Sequence, residues 1–237
     1  FTDPNQGRAS AQYIADNKLA TKVGIIYDSS DVYSSGIRDT FVEEAESRGL
    51  EIVSDEAFTA DSKTDFSTQL QKAQAAGAEL MFLPFYYTEA SIVLTQANQM
   101  GFTPIFFGVD GMDGILGVEN FDLSLAEGIM LLTPFAADAT DALTQSFVKT
   151  YEEKFGGTPI QFAADAYDAV YIVKEAIEQA NLTPDMSISD LGSALTDIMP
   201  TITVDGLTGS GMTWDESGAA SKEPRAVVIK DGVYVTP

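Results

Sequence analysis

The sequence predicts an α/β fold built on a doubly wound parallel sheet, followed by helices that have no second sheet of their own. Five short β-rich segments alternate with helical segments over the first 133 residues, and this alternation is typical of right-handed βαβ crossovers. Beyond residue 133, three long helical segments follow one another without an intervening strand. The only later strand signals are two short segments close to residue 237.

Helix-start residues and apolar periodicity indicate the elements of the first half of the chain. The first helix begins at Asp3 and Pro4, since proline favours the first helical turn. Between the strands, apolar residues recur at every fourth position, as Ile37 and Phe41 do, which indicates amphipathic helices that cover the sheet. The five predicted parallel strands are Lys22 to Asp28, Leu50 to Thr59, Glu79 to Tyr86, Pro104 to Gly108 and Gly128 to Leu132.

The second half of the chain has a different pattern. Residues 141 to 156 and 160 to 180 show helical periodicity, and Ser187 to Asp190 resembles a capping box that opens a third helix. Two last strands are predicted at Ala226 to Ile229 and Val233 to Val235, paired across a tight Asp-Gly turn. The three helices either pack on the one sheet or on each other, or they belong to a second lobe whose sheet is missing.

The composition excludes several classes of function. The chain has no cysteine and no histidine, so it cannot build a thiolate or imidazole metal site, a Ser/His/Asp triad or a Cys/His pair. A formal net charge of −23 over 237 residues argues against nucleic acid as a partner, because that affinity comes largely from lysine and arginine. No uninterrupted apolar run approaches 18 residues, so no membrane span is predicted.

No cofactor or metal motif is present in the sequence. The glycines of residues 206 to 211 lack the order and the strand-to-helix setting of a dinucleotide fingerprint. Residues 110 to 114 (DGMDG) do not fit the 12-residue EF-hand loop. We therefore expect no catalytic residue, no cofactor and no metal ion. The chain starts at Phe1 without a methionine or a leader, so we expect it to be a processed or truncated product.

Three polar residues follow predicted strands and form the candidate binding site. Tyr33 follows the first strand, Tyr86 ends the third and Asp110 follows the fourth. Because ligands of open α/β sheets sit beyond the carboxyl ends of the strands, two phenols and a carboxylate are expected to converge there. Asp110 lies next to glycine and is well placed to reach a cation such as an ammonium group. The chain is therefore predicted to bind a small zwitterion.

Each of these residues also has a simpler structural interpretation. The polar loop around Tyr33 can merely cap the next helix. One of the adjacent residues Tyr86 and Tyr87 must face away from the other, and a tyrosine packed at a sheet edge is common. Asp110 and Gly111 can form an ordinary turn. Further along, Phe162 can be a core residue, and Asp165 or Asp168 can serve only to favour the positive end of its helix.

Several segments of the chain together resemble a known family. These are the start FTDPNQG, the strand and loop KVGIIYDSSDVYSSG, the segment FYYTEASIVLTQANQMGF, the turn FFGVDGMDG, and AADAYDAVYIVKEAI followed by GMTWDESG. In that order they resemble the type I periplasmic-binding proteins, in particular the branched-chain amino acid (Leu/Ile/Val-like) substrate-binding proteins of ABC transporters. The resemblance extends over essentially all 237 residues.

The resemblance implies a two-lobed architecture. Members of the family have two α/β lobes joined by three crossing strands and close on their ligand, so the first part of the N-terminal lobe is expected to be missing here. Residues 1 to 133 would be the second lobe and residues 134 to 200 the helical remainder of the first. Residues 201 to 237 would contain a crossing segment and a C-terminal hairpin that returns to the second lobe.

The resemblance also implies roles for the candidate residues. Asp110 stands where the family holds the ammonium group of an amino acid, Tyr33 and Tyr86 correspond to second-lobe tyrosines, and Phe162 resembles a first-lobe aromatic near the side-chain pocket. Asp110 is shorter than the glutamate of the Leu/Ile/Val proteins, and the groups that hold the ligand carboxylate lie in the missing segment. Both departures leave the identity of the amino acid open.

These implications lead to one predicted function and two rivals. We predict a non-enzymatic substrate-binding component of an ABC importer, periplasmic or extracellular, tethered as a lipoprotein if Gram-positive, which delivers an amino acid to a membrane permease. The rivals are an effector-sensing domain with the same fold and an α/β enzyme that uses Asp110 as its base. Because the three unpaired helices carry apolar stripes, we also expect the chain as given to bind amino acids poorly, and either to form a homodimer that buries those faces or to have a disordered second half.

Overall fold

The computed structural model describes residues 1–237 and contains a single seven-stranded sheet. The strand order is β2-β1-β3-β4-β5-β6-β7, in which the first five strands run parallel and the last two antiparallel. The strands are β1 (Lys22–Asp28), β2 (Glu51–Phe58), β3 (Leu80–Leu83), β4 (Ile105–Gly108), β5 (Met130–Thr133), β6 (Arg225–Lys230) and β7 (Val233–Val235). The predicted fold class is confirmed. None of the helices has the length and apolar character that a membrane crossing requires.

The chain divides into two compact units. The first, called the sheet unit here, comprises residues 3–133 and 224–237, and the second, the helical unit, comprises residues 1–2 and 134–223. The helices of the sheet unit are α1 (Asp3–Asp16), α2 (Val32–Ser47), α3 (Ser67–Ala76) and α4 (Tyr87–Gln99). Those of the helical unit are α5 (Ala142–Phe155), α6 (Gln161–Gln179) and α7 (Ile188–Ile198).

The core of the sheet unit follows from the strand sequences. Strand β3 (LMFL) is buried along its whole length, as expected for a parallel strand that is covered on both faces. Its Phe82 stacks on Phe41 of α2 with ring centroids 3.9 Å apart. On the neighbouring strand Phe107 is fully buried and lies against Tyr13 of α1. Aromatic residues from strands and helices therefore fill the layer between them.

The sheet ends in the C-terminal hairpin that the sequence predicts. Strands β6 and β7 pair antiparallel around Asp231 and Gly232, whose φ angles of 51° and 73° are those of a type I′ turn. Strand β6 also pairs antiparallel with β5, so the end of the chain closes the sheet beside the strand that precedes the helical unit. Tyr234 of β7 packs against the main apolar core.

The helical unit has a much smaller core. Helices α5 and α7 begin at side-chain caps, with Asp141 accepting from the Thr144 N–H and Ser187 from the Asp190 N–H. Phe135, Ala164 and Leu207 form its buried cluster, against which Phe147 and Tyr167 pack. Helix α7 has no buried residue. The three helices thus form a compact unit of their own, without a sheet between them.

Helices α1 and α2 approach each other closely at Gly7. A Cβ atom at this position would lie 2.2 Å from the Thr40 hydroxyl oxygen, 2.3 Å from the Ile37 carbonyl oxygen and 2.8 Å from the Phe41 nitrogen. Two of these three atoms belong to the α2 backbone, which cannot move aside as a flexible side chain can. Glycine is therefore required here by the contact between the two helices rather than by the backbone angles.

We predict that Gly7→Ala lowers the free energy of unfolding by about 3 kcal/mol or more, because the methyl group forces α1 away from α2. Urea unfolding followed by circular dichroism measures the loss. Gly36→Ala on α2 is the matched control, since no atom lies within 4 Å of the added Cβ, and it should be neutral or stabilising by up to about 1 kcal/mol. Equal unfolding midpoints for the two variants would contradict the close approach of the helices.

Candidate functional site

The candidate site lies beyond the carboxyl ends of β1, β3 and β4, which are neighbours in the sheet. Strand β1 has β2 on one side and β3 on the other, so the chain reverses its direction of winding between β1 and β3. Tyr33 lies in the first turn of α2 after β1, Tyr86 immediately precedes α4 after β3, and Asp110 follows β4. Doubly wound sheets bind their ligands at such a switch point.

A short hydrogen bond joins two of the three candidate residues. The Tyr33 hydroxyl donates to Asp110 Oδ1 at 2.5 Å and accepts the Gly111 N–H at 3.0 Å. This phenol therefore bridges the carboxylate and the backbone of the turn that carries it. Glycine at position 111 leaves space for this hydrogen bond, because a Cβ atom there would lie 2.7 Å from the Tyr33 hydroxyl oxygen. The residues after β1 therefore have two roles: Asp31 caps α2, and Tyr33 hydrogen-bonds the turn at Asp110.

The two adjacent tyrosines after β3 have different environments. Tyr86 stacks on Tyr33 with ring centroids 5.0 Å apart and planes 24° from parallel, and 43% of it remains exposed. Tyr87 instead packs against the main core of the sheet unit. The structure therefore brings Tyr33, Tyr86 and Asp110 together and directs Tyr87 away from them. The periodicity of the sequence alone leaves both assignments open, because it does not define which of the two faces the core.

Burial and charge both affect the titration of this cluster. Burial raises the pKa of Asp110, while hydrogen bonds from Tyr33, Gln6 and Gly111 partly offset that rise. The pKa of Tyr33 is held well above its usual value by burial and by the Asp110 carboxylate. Tyr86 has a raised pKa because of burial and the charges of Asp31, Asp110 and Asp3. The surroundings of Tyr86 are therefore negative, which favours a cationic group on a ligand.

Gln6 is a member of the site that sequence reasoning missed. Its side chain is fully buried on the inner face of α1, and its Oε1 accepts the backbone N–H of Asp110 at 3.3 Å. The only signal in the sequence is a polar residue beside Gly7 on the helix face that also carries Ser10, Ala11 and Ile14. Such a residue cannot be assigned to Asp110 without the structure, since 104 residues separate the two.

Phe162, the fourth candidate residue, belongs to the helical unit. It is the second residue of α6, and 40% of it is exposed, so it is not one of the buried core residues. The interpretation that Asp165 and Asp168 favour the positive end of this helix is wrong, because α6 has no acidic residue in its first turn. Asp165 instead forms an ion pair with Lys222 at 2.9 Å.

Asp168 holds a turn of the helical unit. Its carboxylate is buried and accepts three hydrogen bonds, from the Leu207 N–H at 2.9 Å, the Thr208 N–H at 2.8 Å and the Thr208 hydroxyl at 2.6 Å. Gly206 leaves room for it, since a Cβ atom there would lie 2.6 Å from the carboxylate. Asp168 therefore anchors the glycine-rich segment 206 to 211, which gives that segment a structural role.

The arrangement of the titratable residues in this structure contains no metal centre. Nowhere in residues 1–237 do three or more aspartates or glutamates lie in a group that could hold a metal ion. The Tyr33 hydroxyl donates to the carboxylate of Asp110, and Gln6 Oε1 accepts the backbone N–H of the same residue. This set of groups can present a negative charge to a ligand cation.

Comparisons with known proteins identify the family of the chain. The family model described as "Periplasmic binding protein" matches residues 1–232. The chain belongs to this family. The resemblance inferred from the sequence is thereby confirmed. A curated relative, Leu/Ile/Val-binding protein homolog 3 of Brucella melitensis, is 28% identical over 226 residues, which cover 92% of this chain and 56% of the relative.

Two solved structures of binding proteins are similar to the whole chain. A leucine-binding protein from Thermotoga maritima superposes with a TM-score of 0.86 at 27% identity and covers 100% of this chain. A branched-chain amino acid transporter substrate-binding protein from Streptococcus pneumoniae, in complex with isoleucine, gives 0.83 at 27% identity with the same coverage. The present chain spans 65% and 66% of these two proteins, respectively.

We predict that Asp168→Ala lowers the free energy of unfolding of the helical unit by about 2 to 4 kcal/mol, because three donors lose a buried acceptor. Trp214, the single tryptophan of the chain, lies in this unit, so its fluorescence measures the unfolding transition in urea. Asp165→Ala removes a partly exposed ion pair and should cost at most about 1 kcal/mol. An Asp168 variant as stable as this control would contradict the anchoring role.

Proposed function

We propose that this protein is the substrate-binding component of an ABC importer, which captures a small amino acid between two closing lobes and delivers it to a membrane permease. The observation that carries the proposal is the partly buried Asp110 carboxylate, which Tyr33 holds at the switch point of a doubly wound sheet. Membership of the periplasmic binding protein family supports it. The protein would act in the periplasm or outside the cell, tethered as a lipoprotein in a Gram-positive organism.

Asp110 is proposed to bind the ammonium group of the ligand. At neutral pH an amino acid carries a positive ammonium group, and Asp110 with Asp3 and Asp31 supplies negative charge to the same part of the sheet unit. An ammonium group beside Asp110 would favour the ionised carboxylate and so oppose the effect of burial on its pKa. Tyr33 keeps its proton far above neutral pH and remains a donor to the carboxylate. Asp110 is therefore proposed to bind the ligand in its ionised form, with Tyr33 as the hydrogen-bond donor to the carboxylate.

The aromatic residues are proposed to contact the rest of the ligand. The ring of Tyr86 is 43% exposed beside Tyr33, so it offers apolar area with one polar tip. Phe162 is proposed as an aromatic contact contributed by the helical unit. One similar structure is a leucine-binding protein and another is a substrate-binding protein in complex with isoleucine, which supports an aliphatic amino acid as the ligand class. Because Asp110 is shorter than the glutamate of the Leu/Ile/Val proteins, a neutral amino acid other than leucine, isoleucine or valine is an alternative ligand.

The two units are proposed to correspond to the lobes of the family. The sheet unit would be the second lobe, and helices α5, α6 and α7 would belong to the first. Residues 201 to 237 would include a crossing segment and the hairpin of β6 and β7. The chain spans 56% of the length of the curated relative from Brucella melitensis, so the closure and the contacts with the ligand carboxylate are proposed for the protein at its full natural length.

We predict that Asp110→Ala weakens amino acid binding by the full-length protein by a factor of hundreds or more. The physical reason is that removing one side of a buried ion pair costs about 3 to 5 kcal/mol. Isothermal titration calorimetry with a panel of neutral amino acids, leucine and isoleucine included, measures the effect. Asp110→Asn should lose nearly as much, since it keeps an oxygen for Tyr33 but carries no charge.

Asp61→Ala is the matched control for this experiment. It removes one carboxylate from an exposed position in the same unit, so the net charge changes equally. This variant should bind as the wild type does. If Asp110→Ala stayed within a few-fold of the wild type, the assignment of Asp110 would be abandoned.

The 237-residue chain alone is proposed to bind amino acids poorly and to associate into a homodimer. Apolar side chains remain exposed on its helical unit: Phe155 (70%), Val170 (68%), Tyr171 (50%), Val173 (47%) and Ile188 (90%). Exposed apolar patches larger than a few hundred Å² usually mark an interface. Half of a cleft also desolvates a charge pair poorly, which reduces affinity.

Light scattering of the purified 237-residue chain tests this association. We expect a dimer at micromolar concentrations, because burial of the exposed side chains removes apolar area from water. Val170→Glu should restore the monomer, whereas Lys149→Glu, on the exposed surface of α5, should leave the dimer intact. A monomer that binds leucine with micromolar affinity would refute both the dimer and the proposal that high affinity needs ligand contacts from both lobes.

A further inference from the structure

A second tyrosine bridge lies one turn beyond the Tyr33 bridge. The Tyr234 hydroxyl accepts the Gly114 N–H at 3.0 Å and hydrogen-bonds the side chain of Asp113. In the DGMDG segment, Tyr33 thus bridges the first Asp-Gly pair and Tyr234 the second. Both phenols accept the glycine N–H and engage the carboxylate of the preceding aspartate.

The two bridges are coupled through a single short turn. The Asp113 N–H donates to the Asp110 carbonyl oxygen at 2.9 Å, and residues 110 to 112 form one turn of 3₁₀ helix. Met112 of this turn is fully buried over Gly108, where a Cβ atom would lie 2.6 Å from its sulfur. The turn therefore has little room to deform. A shift at Asp113 would therefore act on Asp110 through this turn.

Tyr234 is fixed from the opposite end of the chain. It lies on β7, pairs in register with Ile229 of β6 and packs against the main core. Asp113 is only 4% exposed, and burial together with this carboxylate raises the pKa of Tyr234, so the phenol keeps its proton. The C-terminal hairpin thus provides a rigid, neutral hydrogen-bonding group to the loop after β4.

We propose that Tyr234 is a positioning residue of the binding site: its hydroxyl, through Asp113 and Gly114, holds Asp110 at the angle at which Tyr33 can bridge it. The ligand does not contact Tyr234 in this proposal. The inference rests on the proposed function in so far as Asp110 binds the ligand ammonium group. It adds the C-terminal hairpin, 120 residues further along the chain, to the determinants of affinity.

The first test needs no ligand and uses the 237-residue chain. In Tyr234→Phe the ring still packs, but the hydrogen bonds of the hydroxyl with Asp113, Gly114 and Leu116 are lost. We expect amide hydrogen exchange to accelerate by about tenfold or more at Gly111 as well as at Gly114, and the carboxyl carbon resonance of Asp110 to shift. Asp113→Asn, which keeps an acceptor but loses the charge, should give smaller changes in the same direction. Tyr87→Phe, a tyrosine on the same core, should change neither amide.

A merely structural role gives a different result in this experiment. Tyr234→Phe would then accelerate exchange at Gly114 alone and leave Gly111 and the Asp110 resonance unchanged. That outcome would overturn the proposal, whether or not the variant loses stability. If Tyr234→Phe does not fold, the same comparison of Gly111 with Gly114 in Asp113→Asn decides the question.

The second test is a double-mutant cycle on the full-length protein, with leucine and isoleucine as probes. Tyr234→Phe should weaken binding by about tenfold in the wild-type background and by less than about twofold in the Asp110→Asn background, since it acts through that carboxylate. Equal losses in both backgrounds would refute positioning through Asp110. Wild-type protein that binds neither probe would contradict the proposed ligand class, and the exchange experiment would still decide the role of Tyr234.

Discussion

The hydrogen bond between Tyr33 and Asp110 depends on a close backbone approach for which glycine at position 111 leaves space. Three neighbouring strands bring the two side chains to one edge of the sheet, and α1 adds Gln6 beneath the Asp110 backbone. Because the chain reverses its direction of winding between β1 and β3, this edge is where ligands of doubly wound sheets bind. The contact of α1 with α2 at Gly7 keeps Gln6 within reach.

Asp168 and Asp110 show how aspartates in different surroundings have different roles. Asp168 accepts two backbone N–H groups and one hydroxyl, so its hydrogen-bonding capacity is used within the helical unit. Asp110 accepts from a phenol beside other carboxylates, and burial raises its pKa. A carboxylate in the second situation gains more from a ligand cation than one in the first. This difference separates a structural aspartate from a proposed binding residue.

Much of the fold and part of the site follow from local sequence patterns. Buried β-rich runs such as residues 80 to 83 and the Asp-Gly turn at residue 231 predict the parallel sheet and its hairpin, because these signals arise from side-chain alternation and turn geometry. Positions at strand ends predict the meeting of Tyr33, Tyr86 and Asp110. The roles of Gln6 and Tyr234 could not be predicted, since they contact the turn at residue 110 across more than 100 residues of sequence.

The sequence by itself determined the order of strands and helices, the strongly acidic character and the strand-end residues of the site. Tertiary structure alone decided that Tyr86 stacks on Tyr33 while Tyr87 packs against the core, and that Asp168 anchors a turn instead of favouring a helix end. The physical reason is that periodicity and caps are properties of a few consecutive residues. The environment of a tyrosine or an aspartate depends on which distant groups the folded chain places within hydrogen-bonding distance.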